Sequence, residues 1–92
     1  MKERLEAVVY GRVQMVMFRD FVQRNAQGLR LTGEVQNLAN GTVRVVAEGA
    51  HASLEALVEK LRKGPWLAQV QDVRIVFMSP EGTYTNFTIR YE

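Results

Sequence analysis

The apolar pattern changes period abruptly in the first third of the chain, and that change limits the folds open to it. Leu5, Ala7, Val9, Gly11 and Val13 alternate with Glu6, Val8, Tyr10 and Arg12, the period of a strand with one buried face. From Phe18 onward, Phe18, Phe21, Val22, Ala26 and Leu29 fall at helical spacing, with Arg19, Gln23, Arg24 and Gln27 between them. The joint is the run Gly11-Arg12-Val13-Gln14-Met15-Val16-Met17-Phe18-Arg19. A strand that passes straight into an amphipathic helix must lay that helix on its own sheet to bury the stripe. Gly28 is the predicted left-handed stop of the helix.

The rest of the chain extends this plan. Leu31, Gly33, Val35 and Asn37 alternate with Thr32, Glu34 and Gln36, a second strand predicted to lie beside the first. Asn40-Gly41 is a short hairpin signal. Thr42 to Glu48 continue as a third strand, with Val43, Val45 and Ala47 on one face. Leu54, Leu57, Val58 and Leu61 form the stripe of a second helix, which Gly64-Pro65 ends and near whose start His51 stands in solvent. Val70 to Met78 and Thr83 to Tyr91 read as the last strands, with Ser79-Pro80-Glu81-Gly82 turning the chain between them. The order β-α-β-β-α-β plus one strand predicts an α+β fold. It is a ferredoxin-like split β-α-β sandwich, with two helices on one face of an antiparallel (mixed) sheet of about five strands. Many unrelated functions use that fold, so it decides no chemistry.

Composition narrows the chemistry. The 92 residues predict a single domain over 1–92. No apolar run is long enough for a membrane span, and Glu6 interrupts any signal-peptide apolar region, so the expected location is cytoplasmic. The chain has no cysteine, which removes disulfides, thiolate nucleophiles and zinc–thiolate sites. One histidine and two aspartates, Asp20 and Asp72, leave little for a metal site, so no metal and no cofactor are expected. The net charge of +2 favours anionic partners. It is too dispersed to argue for nucleic acid, and the aromatic residues show no basic-aromatic motif of an RNA-binding sheet. Nothing in the sequence demands more than a monomer.

A loop that leaves a strand and opens a helix presents free backbone N–H groups at the positive end of the helix dipole. The N–H groups of Met15, Val16, Met17, Phe18 and Arg19 can curl around a tetrahedral oxyanion, and the Arg19 side chain adds a fork of donors. Asn37, closing the second strand, has a carboxamide able to orient a water. These parts suit a phosphoryl group attached to a good leaving group, whose transfer depends mainly on positioning and electrostatics. The blander alternatives are ordinary: Arg19 as a solvated surface residue, Asn37 as a turn residue, Met15 and Met17 as core filler. Period and spacing alone reach an α+β domain with a candidate anion site.

Taken together, Val13-Gln14-x-Val16-x-Phe18-Arg19, Gly33-x-Val35-x-Asn37, Asn40-Gly41-Thr42-Val43, Glu48-Gly49, Gly64-Pro65 and Phe87-x-Ile89 resemble the acylphosphatase family in order and spacing, from about Leu5 to Tyr91. The resemblance implies a small cytoplasmic, monomeric hydrolase of acyl phosphates. It would release carboxylate and inorganic phosphate without metal or cofactor, and inorganic phosphate or sulfate would be the anion of its site. By that likeness Arg19 matches the phosphate-binding arginine, Asn37 the water-positioning asparagine, and Gln14, Met15, Val16, Met17 and Phe18 the phosphate cradle. The family usually has glycine where this chain has Met15, and often a small residue where it has Met17. A positive φ at 15 would strain methionine by roughly 1–2 kcal/mol, and its side chain could crowd the mouth of the site. That departure keeps open a second reading, a domain that holds phosphate or acyl phosphate with little or no turnover. The family commonly carries Trp and Arg where this chain has Glu34 and Gln36, and Glu34 would oppose an anion if its side chain turned toward the site.

Overall fold

The computed structural model describes residues 2–91. Its elements run β1 (Lys2–Arg12), α1 (Phe18–Gly28), β2 (Thr32–Asn37), β3 (Val43–Ala50), α2 (His51–Lys63), β4 (Gln69–Met78) and β5 (Phe87–Arg90). The strands form one sheet in the order β4-β1-β3-β2-β5. β3 is antiparallel to β1 and β2, β4 is antiparallel to β1, and β5 is parallel to β2. Strands β1, β2 and β5 therefore point the same way, and their C-terminal ends leave the sheet at one end. Leu5, Ala7, Val9, Val35, Val45, Ala47 and Phe87 share a buried cluster with Phe18, Val22 and Ala26 of α1 and Leu54, Leu57 and Leu61 of α2. Both apolar stripes thus close on the same sheet face. Neither helix is long and apolar enough to cross a membrane.

The second strand does not lie beside the first, as the sequence suggested: β3 occupies the slot between them. The Asn40-Gly41 turn folds β3 back onto β2, with Leu38 N–H donating to Thr42 O at 2.9 Å and Gly41 at φ 91°. The crossover through α1 leaves the gap that β3 fills. Nor does Ser79-Pro80-Glu81-Gly82 make a hairpin. β4 and β5 stand at opposite edges, and residues 79–86 cross from one edge to the other. Glu48 ties down this crossing: its carboxylate accepts the N–H groups of Glu81 (2.8 Å) and Gly82 (3.0 Å), and Arg4 donates to it at 3.0 Å. Because the crossing uses residues expected in a strand, β5 shortens from Thr83–Tyr91 to Phe87–Arg90.

The first helix runs through Gly28 rather than stopping there in a left-handed turn. The left-handed residue is Arg30 at φ 60°. Leu31 N–H donates to Ala26 O at 2.9 Å and Arg30 N–H to Gln27 O at 3.0 Å, the paired bonds of a Schellman ending. Leu31 and Ala26 both join the core, so the apolar contact of Leu31 fixes the left-handed residue two positions beyond the glycine. Near the end of β1 a bulge shifts the register after Tyr10. Gly11 takes φ 127° there, and a Cβ on it would stand 2.2 Å from the Gln69 carbonyl oxygen. The sheet face away from the helices carries guanidinium–carboxylate pairs: Arg4 with Glu6 and Glu48, Arg44 with Glu34, and Arg90 with Glu34.

Candidate active site

Where β1 ends, the backbone alternates between burying and exposing its side chains. Val13, Val16 and Phe18 are buried, whereas Met15 and Met17 stand in solvent. The two methionines take left-handed φ values of 60° and 64°, with Val16 between them. Left-handed residues alternating with ordinary ones turn successive N–H groups toward a common centre, a concavity that suits anions. Met17 caps α1 with no side-chain hydrogen bond. Among the described residues, the N–H groups of 14–20 make no backbone hydrogen bond, so the cradle coincides with the unpaired donors of the helix start.

The cradle is braced from the hairpin. Gln14 Nε2 donates to the carbonyls of Leu38 at 2.8 Å and Thr42 at 2.9 Å. Its side chain is thereby committed to the β2–β3 turn, and its backbone N–H is what it can offer an anion. Phe18 is wholly buried and roots the helix in the core. The Met15 side chain is 97% exposed, so it does not crowd the cradle, although its left-handed backbone realises the strain foreseen for it.

Arg19 stands in the first turn of α1, with its guanidinium carbon 4.9 Å from the centre of the Tyr91 ring. Tyr91 follows β5, and the parallel register pairs Gln36 with Arg90. Asn37 follows Gln36 as Tyr91 follows Arg90, so the stack lies at the end of the sheet where β2 and β5 both stop. Asn37 Oδ1 is buried and has no hydrogen-bond partner. A buried acceptor with no protein partner is open to a hydrogen bond from water or a ligand. The carboxylate of the first turn, Asp20, is held by Arg24 at 2.9 Å. Glu34 lies on the other face of the sheet, paired with Arg44 and Arg90, and does not oppose an anion in the cradle.

Sequence reasoning missed Tyr91. Its only signal was its place at the end of the closing apolar alternation, and nothing there names Arg19 as the partner. Separately, a cavity of about 350 Å3 opens at the far end of the sheet, lined by Arg30, Thr32, Glu48, Glu81 and Tyr84, well away from these residues.

The acylphosphatase family model matches residues 5–89. An acylphosphatase of Dehalococcoides mccartyi is 47% identical over 88 residues, which cover 95% of this chain and 97% of that protein. The crystal structure of the acylphosphatase from Bacillus subtilis superposes with a TM-score of 0.93 at 34% identity, covering 97% of this chain and 99% of that one. The acylphosphatase from Coxiella burnetii gives 0.92 at 38% identity, over 97% and 93% of the two chains. With a matching motif order, a matching fold and relatives aligned end to end, this chain belongs to the acylphosphatase family and is an enzyme of acyl phosphate hydrolysis.

Proposed function

We propose that residues 14–19 and Asn37 carry out this hydrolysis between them. The backbone N–H groups of Met15, Val16, Met17, Phe18 and Arg19, with that of Gln14 at the entrance, hold the phosphoryl oxygens, and the Arg19 guanidinium pairs with two of them. Asn37 Oδ1 accepts a hydrogen bond from the attacking water and turns its lone pair toward phosphorus. The water oxygen bonds to phosphorus as the bond to the carboxyl oxygen breaks, and the electron pair leaves with the carboxylate. The conjugate acid of that leaving group has a pKa of about 4, so it departs without a general acid. Because an amide is a poor base, the water proton passes to a phosphoryl oxygen. The observation that carries this reading is the pair of left-handed methionines at the mouth of α1. Non-glycine residues are kept in so costly a conformation where the backbone donors it aims are needed.

The test is release of inorganic phosphate from benzoyl phosphate by the purified protein in the presence of a chelator. Arg19→Ala should lower kcat/KM by about 10²–10³-fold, the usual cost of an oxyanion donor. Asn37→Ala should keep the affinity for inorganic phosphate, as competing product, while turnover falls. Full turnover in either variant removes that residue from the mechanism. The same reading takes the protein as a cytoplasmic monomer with inorganic phosphate or sulfate as its site anion, which sedimentation, cell fractionation and inhibition by the two anions test.

A further inference from the structure

Seven large apolar or aromatic side chains are exposed among the described residues, and five of them (Met15, Met17, Trp66, Leu67 and Tyr91) stand at the site end of the sheet. Isolated exposed apolar residues need no explanation, but their concentration at one place does. The sheet register brings the first four together, while Tyr91 follows β5 at the opposite edge. Arg12 pairs with Gln69, so the chain leaving β1 toward the cradle and the chain entering β4 emerge side by side. A Cβ on Gly64 would stand 3.1 Å from the Phe18 ring, which seats the segment after α2 against the root of α1. A turn closed by Ala68 N–H to Pro65 O at 3.0 Å then lifts Trp66 and Leu67 outward, the indole 95% exposed.

The chemistry says what such a rim is for. In an in-line displacement, the water and the leaving group lie on opposite sides of phosphorus. Asn37 belongs to β2 and Trp66 to the approach to β4, and the cradle rises from β1, which lies between those two strands in the sheet order. A water aimed from the Asn37 side sends the leaving carboxylate toward Trp66 and Leu67. The phosphoryl end is already served by N–H groups and a guanidinium, so the apolar side chains are left to meet the carbon skeleton. Resting on the hydrolysis described above, we propose that Trp66 and Leu67, flanked by Met15 and Met17, form a platform for the acyl group, and that the substrates favoured are acyl phosphates with a bulky apolar acyl part, aromatic or medium-chain alkyl.

The experiment compares benzoyl phosphate with acetyl phosphate in wild type, Trp66→Ala and Leu67→Ser. Wild type should prefer benzoyl phosphate. Each variant should lose about tenfold in kcat/KM on it, the scale of one aromatic or apolar contact, with acetyl phosphate unchanged. An equal fall on both substrates, or no fall on either, overturns the platform and leaves the hydrolysis standing. Failure of wild type to cleave either substrate overturns the hydrolysis itself. Trp66 is the sole tryptophan, so its emission supplies a readout that needs no turnover. Octylphosphonate should shift it to the blue and methylphosphonate should not. Equal responses to the two overturn the proposal. A shift on phosphatidylcholine vesicles with none on octylphosphonate assigns the rim to a membrane surface and overturns it as well.

Discussion

A methionine held at φ 60° gives up roughly 1–2 kcal/mol against a glycine that visits the same region freely. Met15 and Met17 both carry that cost, and neither recovers it by packing, since both side chains stand in solvent. Met15→Gly and Met17→Gly should each raise stability by about 1 kcal/mol in chemical denaturation while hydrolysis persists. Loss of stability in both variants would mean that the loop is not strained. Asn37 follows the same logic from the other side: removing an unpaired buried acceptor should leave stability unchanged or higher, though turnover falls. Arg19 adds a second tension, because a cation at the start of α1 is opposed by the helix dipole. The placement of Arg19 at a helix start and of Asn37 at a strand end was readable from motif spacing, and the structure puts both there. That of Tyr91 was not, because a ring that steadies a guanidinium leaves no local pattern and reaches its partner only through the parallel pairing of β5 with β2.

At the level of the elements, local signals were legible where the partner is near in sequence. The period change at Phe18, the stripe of α2 and the Asn40-Gly41 turn each describe residues that meet their neighbours directly. The stop of α1 was misplaced because glycine marks a favourable left-handed site, while the apolar contact of Leu31 with the core decides which residue takes it. Arg30→Gly should therefore stabilise the protein by about 1 kcal/mol, and Gly28→Ala should also stabilise, since Gly28 is helical and has open space around it. A turn signature such as Ser79-Pro80-Glu81-Gly82 fixes a bend and says nothing of which strand comes next to which. The crossing it begins depends on Glu48, so Glu48→Ala should cost about 3 kcal/mol by leaving Arg4 buried with one partner fewer. Amide exchange should show residues 79–86 loosening before the rest.

The whole molecule should respond to pH at two points. Burial pushes the Glu48 carboxyl up, but the N–H groups of Glu81 and Gly82 and the Arg4 guanidinium outweigh it and hold the group below its ordinary value. Its stabilising effect is present above the usual carboxylate range and is lost as pH falls through the lowered folded value. His51 is raised instead, first by its hydrogen bond to Glu3 at 2.7 Å and then by that to Glu55, which together outweigh desolvation. The bridge it makes between β1 and α2 is fully present below the unfolded value of about 6.5 and is lost as pH rises through the folded one. Thermal melts should therefore decline on both sides of a plateau, and His51→Gln should flatten only the upper edge. An upper edge unchanged in that variant would clear His51 of the effect.

The pairing of Arg19 with Tyr91 also bears on the order in which the molecule can be assembled. A ribosome delivers the cradle and its guanidinium early and the ring beneath that guanidinium only after every other strand has emerged. On the proposed mechanism, a nascent chain presents the anion-binding amides long before the arginine is steadied, and competence for chemistry arrives with the closing strand.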